Sequence, residues 1–125
     1  MAKLDQNKTP YLDALKKYLS KDILQMDVPG HERGDLPSKL RTFIGGQLYN
    51  ADVNAPLGLD NLANPQGVLL EAEKLMADFT GADKSFFLIN GTSSGIIAMI
   101  MAACHANDKI ILPRNVHKSI INAII

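Results

Sequence analysis

The residues whose types and spacing most clearly suggest a binding site are a glycine followed by three hydroxyl side chains, Gly91-Thr92-Ser93-Ser94. They lie between an apolar run at residues 85–89, typical of a strand, and an apolar stretch from Ile96, typical of a helix. Glycine lets the backbone turn close to a ligand, and hydroxyls with the free N–H groups of a helix start attract an anion. The segment therefore predicts a phosphate-binding turn, although Ser and Thr are also ordinary helix caps.

Histidine is the second chemical candidate, because its ring can lie against an aromatic group or exchange protons near neutral pH. His117 follows a second apolar run, residues 109–112, and His31 lies in the loop Val28-Pro29-Gly30-His31. Both histidines could instead be ordinary surface residues without a function, and His105 is expected only to cap the C-terminal end of a helix. The three histidines and the one cysteine fit no metal-ligand spacing, so we predict no metal site.

Composition narrows the class of protein. The chain has 125 residues, of which 46% are hydrophobic and 21% charged, as expected for a folded domain. Its 13 basic and 13 acidic residues cancel, which argues against nucleic acid as a partner. The longest apolar run, residues 95–104, is about half of what crosses a bilayer, and Lys3, Asp5 and Lys8 occupy the place of a signal peptide. We expect a cytoplasmic protein that does not enter a membrane.

The first part of the chain is predicted to be mainly helical. Thr9-Pro10 predicts a helix start with a hydroxyl cap, and apolar residues then recur at helical spacing up to Leu19. A short helix is expected at residues 37–44, stopped by Gly45-Gly46, and an irregular loop at residues 50–65. A longer amphipathic helix is expected after Gly67, with Gly81 as its C-terminal stop.

The second part of the chain predicts an α/β fold. Strands at residues 85–89 and 109–112 would alternate with helices at residues 96–105 and from about Val116. Such alternation favours a parallel sheet, at whose carboxyl edge ligands bind. Residues 120–125 form an apolar segment without a polar cap, and two strands cannot complete a buried sheet, so we expect an incomplete chain.

Taken together, four motifs in order resemble the Orn/Lys/Arg decarboxylase family. They are Val28-Pro29-Gly30-His31, then Asp52 with Gly58-Leu59-Asp60-Asn61-Leu62, then Asn90-Gly91-Thr92-Ser93-Ser94-Gly95, then Arg114-Asn115-Val116-His117-Lys118-Ser119. The resemblance implies the aspartate-aminotransferase-like fold, type I among pyridoxal-phosphate enzymes. Residues 1–66 would form an N-terminal helix with active-site and dimer-contact loops. Residues 67–125 would begin the cofactor-binding large domain with its first βαβα.

The resemblance also implies a site. Gly91, Thr92, Ser93 and Ser94 would hold the phosphate of pyridoxal 5'-phosphate, and His117 would stack on the pyridine ring as a catalytic residue. His31, Asp52 and Asp60 would belong to the loops that meet the substrate or the second subunit.

The implied function is that of the N-terminal part of a decarboxylase, a lyase that converts arginine, lysine or ornithine to an amine or polyamine precursor. A homodimer or larger homo-oligomer is expected. The family's Schiff-base lysine, in a Ser-x-His-Lys setting, and its pyridine-pairing aspartate are expected beyond residue 125, so Lys118 is not assigned that role and the chain alone should be inactive. Asn54-Ala55-Pro56 stand where family members often have Thr-Glu, which leaves the choice of substrate open.

Two other functions remain open on the sequence. One is a non-catalytic module that binds a phosphate or interacts with another chain. The other is an aminotransferase-like or aldolase-like relative of the same fold, because a fold alone does not determine a reaction.

Overall fold

The computed structural model describes residues 3–34 and 38–125, and all regular secondary structure in that part of the chain is helical. The chain divides into two compact units, Met1–Ser85 and Phe86–Ile125. The sequence suggested a boundary after residue 66 between domains of a larger protein, and that boundary stays a prediction.

The first unit begins with helix α1, Pro10–Leu19. The predicted start at Pro10 is confirmed, because proline fits the first helical position, where an N–H would have no partner. The predicted capping role of the Thr9 hydroxyl is wrong. This hydroxyl donates instead to the Asp13 carboxylate at 3.1 Å, and no side chain caps α1.

Two short helices follow in the first unit, α2 (Lys39–Ile44) and α3 (Gly46–Ala51). The described part of the expected helix at residues 37–44 is confirmed, with Ser38 accepting the Arg41 N–H at 2.9 Å, while Pro37 lies outside the described residues. Helix α3 was not expected. Gly45 takes a left-handed φ of 86° and ends α2, but the chain re-enters a helix at Gly46 instead of continuing as a loop.

Helix α4 (Val68–Thr80) confirms the longer amphipathic helix predicted from the sequence. Gly81 ends it in the left-handed conformation, with φ 74°, as the sequence predicted. Helices α1 and α4 pack together, and Leu4 N–H and the Gln6 side chain both donate to the Asp78 carboxylate, at 3.0 and 2.9 Å. These bonds tie the described N-terminal segment to α4.

A small apolar core holds the first unit together. Leu59 is 1% exposed and packs with Leu15 and Tyr18 from α1. The partly buried residues around this cluster are Tyr11, Ala14, Leu19 and Val53. The apolar face of α1 therefore packs on the loop that precedes α4.

The second unit contains α5 (Gly91–Ala103) and α6 (Lys118–Ile124), which contact each other. Helix α5 begins at Gly91, five residues before the predicted start at Ile96. It is apolar on all sides, and Met99 and Met101 are exposed. None of the described helices, α5 included, has the length and apolarity needed to span a membrane.

The predicted α/β fold is wrong for the described chain. Residues 85–89 and 109–112 form no strand, and no sheet occurs in residues 3–34 and 38–125. An extended segment becomes a strand only when a neighbour pairs with its N–H and C=O groups, and neither segment has such a neighbour. Both apolar runs are also exposed, with Ile89 at 77% and Ile111 at 98%. The aspartate-aminotransferase-like βαβα arrangement is therefore not what this structure shows.

Candidate functional site

The start of α5 has the backbone geometry that the sequence suggested. Gly91 has a left-handed φ of 73°, a conformation that glycine adopts without the steric cost of a side chain. Asn90 is the N-cap of α5, but its side chain makes no capping hydrogen bond. The first N–H groups of an α-helix have no partner within the helix, so those of α5 remain open to a ligand.

The three hydroxyls at this helix start are not equivalent. Ser94 Oγ donates to the Gly91 carbonyl at 2.7 Å, so this hydroxyl is already used inside the helix. Thr92 and Ser93 are exposed, and within the described residues their hydroxyls have no hydrogen-bond partner. Two free hydroxyls therefore lie beside the uncapped amides of α5.

The apolar run before α5 packs closely against the helix at Gly95. A Cβ atom added at Gly95 would collide with the Leu88 side chain, which belongs to the apolar run before α5. The absence of a side chain at Gly95 lets this run approach the helix. Glycine here serves packing, whereas at Gly91 it serves backbone conformation.

His117 caps helix α6. Its Nδ1 accepts the backbone N–H of Ser119 at 3.2 Å and lies 2.9 Å from the Ser119 hydroxyl. The residue is exposed, and no hydrogen bond in the described chain joins it to the hydroxyls of Thr92 or Ser93. Both groups lie in the second unit, on two helices in contact.

The first unit brings together two residues that the sequence placed in separate motifs. His31 Nε2 lies 3.2 Å from Asp52 Oδ2, and the His31 ring meets the Tyr49 ring edge-on, with centroids 5.0 Å apart. The His31 side chain is 21% exposed and that of Asp52 is 65% exposed. Nδ1 of His31 is buried, and within the described residues it has no hydrogen-bond partner. The pair links the turn at Glu32–Gly34 to the end of α3.

The side chain of Asp60, which was expected in a substrate or dimer-contact loop, is hydrogen-bonded by the backbone of residues that follow it in the chain. Its carboxylate accepts N–H groups from four residues at 2.7 to 3.2 Å, namely Asn61, Gln66, Gly67 and Leu69. The Gln66 N–H is the largest cause that lowers the pKa of Asp60 from 3.8 to about 2. Burial is the next-largest effect and opposes it, and the N–H groups of the other three residues lower the pKa further. Sequence reasoning missed this role, and the available signal was the glycine at position 67 before α4, which leaves that helix without a capping side chain of its own.

The remaining histidine has a local role. His105 follows α5, and its backbone N–H donates to the Asp108 carboxylate at 2.7 Å. Cys104, not His105, is the C-cap of α5. Among residues 3–34 and 38–125, no group of three or more His, Cys, Asp or Glu side chains could hold a metal ion. The expectation of no metal site stays a prediction.

Comparison with known proteins identifies relatives along nearly the whole chain. An arginine decarboxylase of Bacillus subtilis (strain 168) is 42% identical over 123 residues, which cover 98% of this chain and 25% of the relative. An arginine decarboxylase of Bacillus anthracis is 41% identical over 126 residues, covering 100% of this chain and 26% of the relative. An inducible ornithine decarboxylase of Lactobacillus sp. (strain 30a) is 32% identical over 121 residues, covering 91% and 17%.

The chain thus spans about a quarter of the length of the Bacillus arginine decarboxylases that it matches. The family model for the major domain of Orn/Lys/Arg decarboxylases matches residues 9–125, which is nearly all of the sequence. The resemblance inferred from four short motifs is confirmed, as is its limitation to part of a family member. On this match, the chain belongs to the Orn/Lys/Arg decarboxylase family.

Proposed function

We propose that this chain is part of a pyridoxal-phosphate-dependent decarboxylase of a basic amino acid, and that the chain contributes to binding the cofactor. Family membership supports the reaction class. The two Bacillus arginine decarboxylases are 41 to 42% identical to the chain and the Lactobacillus ornithine decarboxylase is 32% identical, which favours arginine over ornithine as the substrate. A homodimer or larger assembly and a cytoplasmic location remain expectations of the same proposal.

The observation that carries the proposal is the start of α5. A phosphate dianion needs several N–H or O–H donors that converge, and the uncapped amides of Gly91 to Ser94 lie beside the free hydroxyls of Thr92 and Ser93. The helix dipole alone contributes about 0.3 to 1 kcal/mol at an exposed site, so the individual hydrogen bonds must provide most of the affinity. Ser94 contributes its backbone N–H, because its hydroxyl is bonded to Gly91. The residues present therefore fit the phosphate group.

His117 has the second proposed role. Its ring is held at one edge by Ser119, while the residue itself is exposed, so a face of the ring is available to an aromatic ligand. When bound, pyridoxal phosphate supplies a conjugated ring that disperses the charge left on the α-carbon as the carboxylate departs. The chain's own residues anchor the phosphate through α5 and orient the ring through His117.

Calorimetric titration of the 125-residue chain with pyridoxamine 5'-phosphate tests the proposal. This amine form carries the phosphate and the ring but cannot react with exposed lysines, and pyridoxamine without phosphate serves as the ligand control. We expect Thr92→Ala and Ser93→Ala each to weaken binding roughly ten-fold, since each removes one hydrogen bond to a charged group.

A matched serine provides the protein control. Ser20 follows α1 in the first unit, and its hydroxyl donates only to the Lys17 carbonyl at 2.9 Å. Ser20→Ala should leave binding unchanged. Equal weakening by all three substitutions, or no weakening by Thr92→Ala and Ser93→Ala, would contradict the assignment of the phosphate to α5.

A further inference from the structure

Ser119 is a buried polar residue whose contacts converge on one atom of His117. It is 3% exposed, although it lies at the second position of the short helix α6. Its backbone N–H donates to Nδ1 of His117 at 3.2 Å, and its hydroxyl oxygen lies 2.9 Å from the same nitrogen. Two polar groups of one residue therefore meet a single ring nitrogen.

This geometry determines which ring nitrogen carries the proton. A backbone N–H can only donate, so Nδ1 of His117 must offer its lone pair. A neutral imidazole has one protonated nitrogen, which places the proton on Nε2. The Ser119 hydroxyl can rotate, and beside an unprotonated Nδ1 it points its hydrogen at the same lone pair.

We propose that Ser119 is a positioning residue that holds His117 in the Nε2–H tautomer, so that the outward nitrogen of the ring meets a ligand as a hydrogen-bond donor. The chemical partner of that nitrogen is then an acceptor, such as an anionic oxygen of a carboxylate or phenolate. In this neutral state His117 cannot take a proton through Nε2. The part about the ligand rests on the proposed function, whereas the tautomer does not.

Helix capping alone would give Ser119 a simpler role. An N-cap side chain that accepts an N–H from the first turn stabilises a helix whatever its chemical type. Asparagine would cap α6 as well as histidine does, but it has no ring and no tautomer. A readout of the ring nitrogens therefore separates positioning from capping.

The test is nitrogen NMR of the 125-residue chain labelled with ¹⁵N-histidine, recorded at about pH 8, where an ordinary imidazole is neutral. His117→Asn identifies the signals of His117 by their loss. His31 gives an internal reference, because its Nε2 faces the Asp52 carboxylate at 3.2 Å and must carry a proton to bond to it. We expect the same pattern for His117, with a protonated Nε2 and an unprotonated Nδ1.

Two substitutions separate the effect of the Ser119 hydroxyl on the tautomer from that of the Ser119 backbone N–H. Ser119→Ala removes the hydroxyl and keeps the backbone donor, so the Nε2–H form should fall only in part. Ser119→Pro removes the hydroxyl and the N–H from the second position of α6, where the N–H has no partner within the helix, and the ring should then become a mixture of tautomers. Circular dichroism of both variants reports whether α6 and the rest of the chain stay folded.

The outcomes separate the inference from the proposed function. A protonated Nδ1 in the unchanged chain, or an unaltered tautomer in a folded Ser119→Pro variant, would overturn the role of Ser119. If the tautomer behaves as expected but His117→Asn binds pyridoxamine 5'-phosphate as tightly as the unchanged chain, the ring-contacting role of His117 fails and the tautomer assignment stands.

Discussion

Asp60 caps helix α4 from seven residues before Gly67. One oxygen of its carboxylate accepts the Gly67 N–H at 2.7 Å and the Leu69 N–H at 3.1 Å. Gly67 is the N-cap of α4 and has no side chain with which to accept these groups. The carboxylate therefore performs a task that an N-cap side chain usually performs, and it closes the loop of residues 60–67 onto the helix.

Asp60→Asn should destabilise the chain by about 1 to 2 kcal/mol. Asp60 has a φ of 68°, and asparagine tolerates this left-handed conformation, so the change removes charge without adding backbone strain. The amide replaces one accepting oxygen with a donor, which then faces other N–H donors. Urea unfolding followed by circular dichroism measures the difference, and an unchanged midpoint would contradict the capping role.

The stability of the chain should also depend on pH through Asp60. Folding lowers the pKa of its carboxyl from 3.8 to about 2, so the folded chain releases this proton more readily than the unfolded chain does. The stabilisation is complete above about pH 4 and is lost as the pH falls towards 2. Urea midpoints between pH 5 and pH 2 should decline less steeply in Asp60→Asn.

Asp5 provides the matched acidic control for that titration. The backbone N–H and side-chain amide of Asn7 lower the pKa of Asp5, but these bonds stay within an exposed N-terminal turn. Asp5→Asn should therefore change the acid dependence far less than Asp60→Asn. An equal change in both variants would show that the dependence is not specific to the α4 cap.

Local backbone chemistry explains which features of the fold the sequence could predict. Pro10 and Gly81 mark the start of α1 and the end of α4, because proline restricts φ and glycine alone adopts the left-handed region freely. The Thr9 hydroxyl was predicted to accept an N–H of the first turn, but it is directed at the Asp13 carboxylate, to which it donates. Propensity identifies a capping residue, but not the other partners within reach of its side chain.

Features that depend on residues far apart in the chain could not be predicted from the sequence. The apolar runs at residues 85–89 and 109–112 indicated strands, but an apolar pattern does not name the neighbour that a strand requires. His31 and Asp52 are 21 residues apart, and only the folded chain shows that they pair. By contrast, Gly91 and the hydroxyls after it are adjacent in the chain, so their local geometry could be anticipated.

Gly95→Ala should change the free energy of unfolding of the second unit by less than about 1 kcal/mol. The added methyl group would collide only with the end of the Leu88 side chain, which is 53% exposed and can turn away, and this cost offsets the gain of about 1 kcal/mol that alanine brings to a helix interior. Gly91→Ala is the contrasting variant, because Gly91 has a left-handed φ of 73° that strains any side chain. Thermal unfolding should show a clearly lower midpoint for Gly91→Ala only. A comparable loss in Gly95→Ala would show that Leu88 cannot turn away.

The edge-on contact of His31 with Tyr49 should stabilise the chain more than the contact of His31 with Asp52 does. Asp52 is 65% exposed, so Asp52→Ala should cost under about 1 kcal/mol. His31→Ala also removes the edge-on contact with Tyr49 and should cost roughly 1 to 2 kcal/mol. Urea unfolding of both variants and of the double variant gives the coupling energy. A coupling above about 1 kcal/mol would mean that the contact between His31 and Asp52 dominates.

The 125-residue chain should bind the cofactor without decarboxylating a substrate. By resemblance to its family, the reaction needs a lysine in a Ser-x-His-Lys setting, and the sequence contains no such motif. Lys118 follows a histidine, but Asn115 stands where the motif requires serine, and Lys118 is the first residue of α6.

With pyridoxal phosphate and arginine, lysine or ornithine, we expect no release of carbon dioxide. Borohydride reduction followed by peptide mass spectrometry should label the lysines without preference, and Lys118→Ala should leave total labelling reduced by no more than one site among many. Preferential labelling of Lys118 together with release of carbon dioxide would show that this lysine is catalytic. That result would refute both the inactivity of the chain and the assignment of Lys118 to the His117 motif.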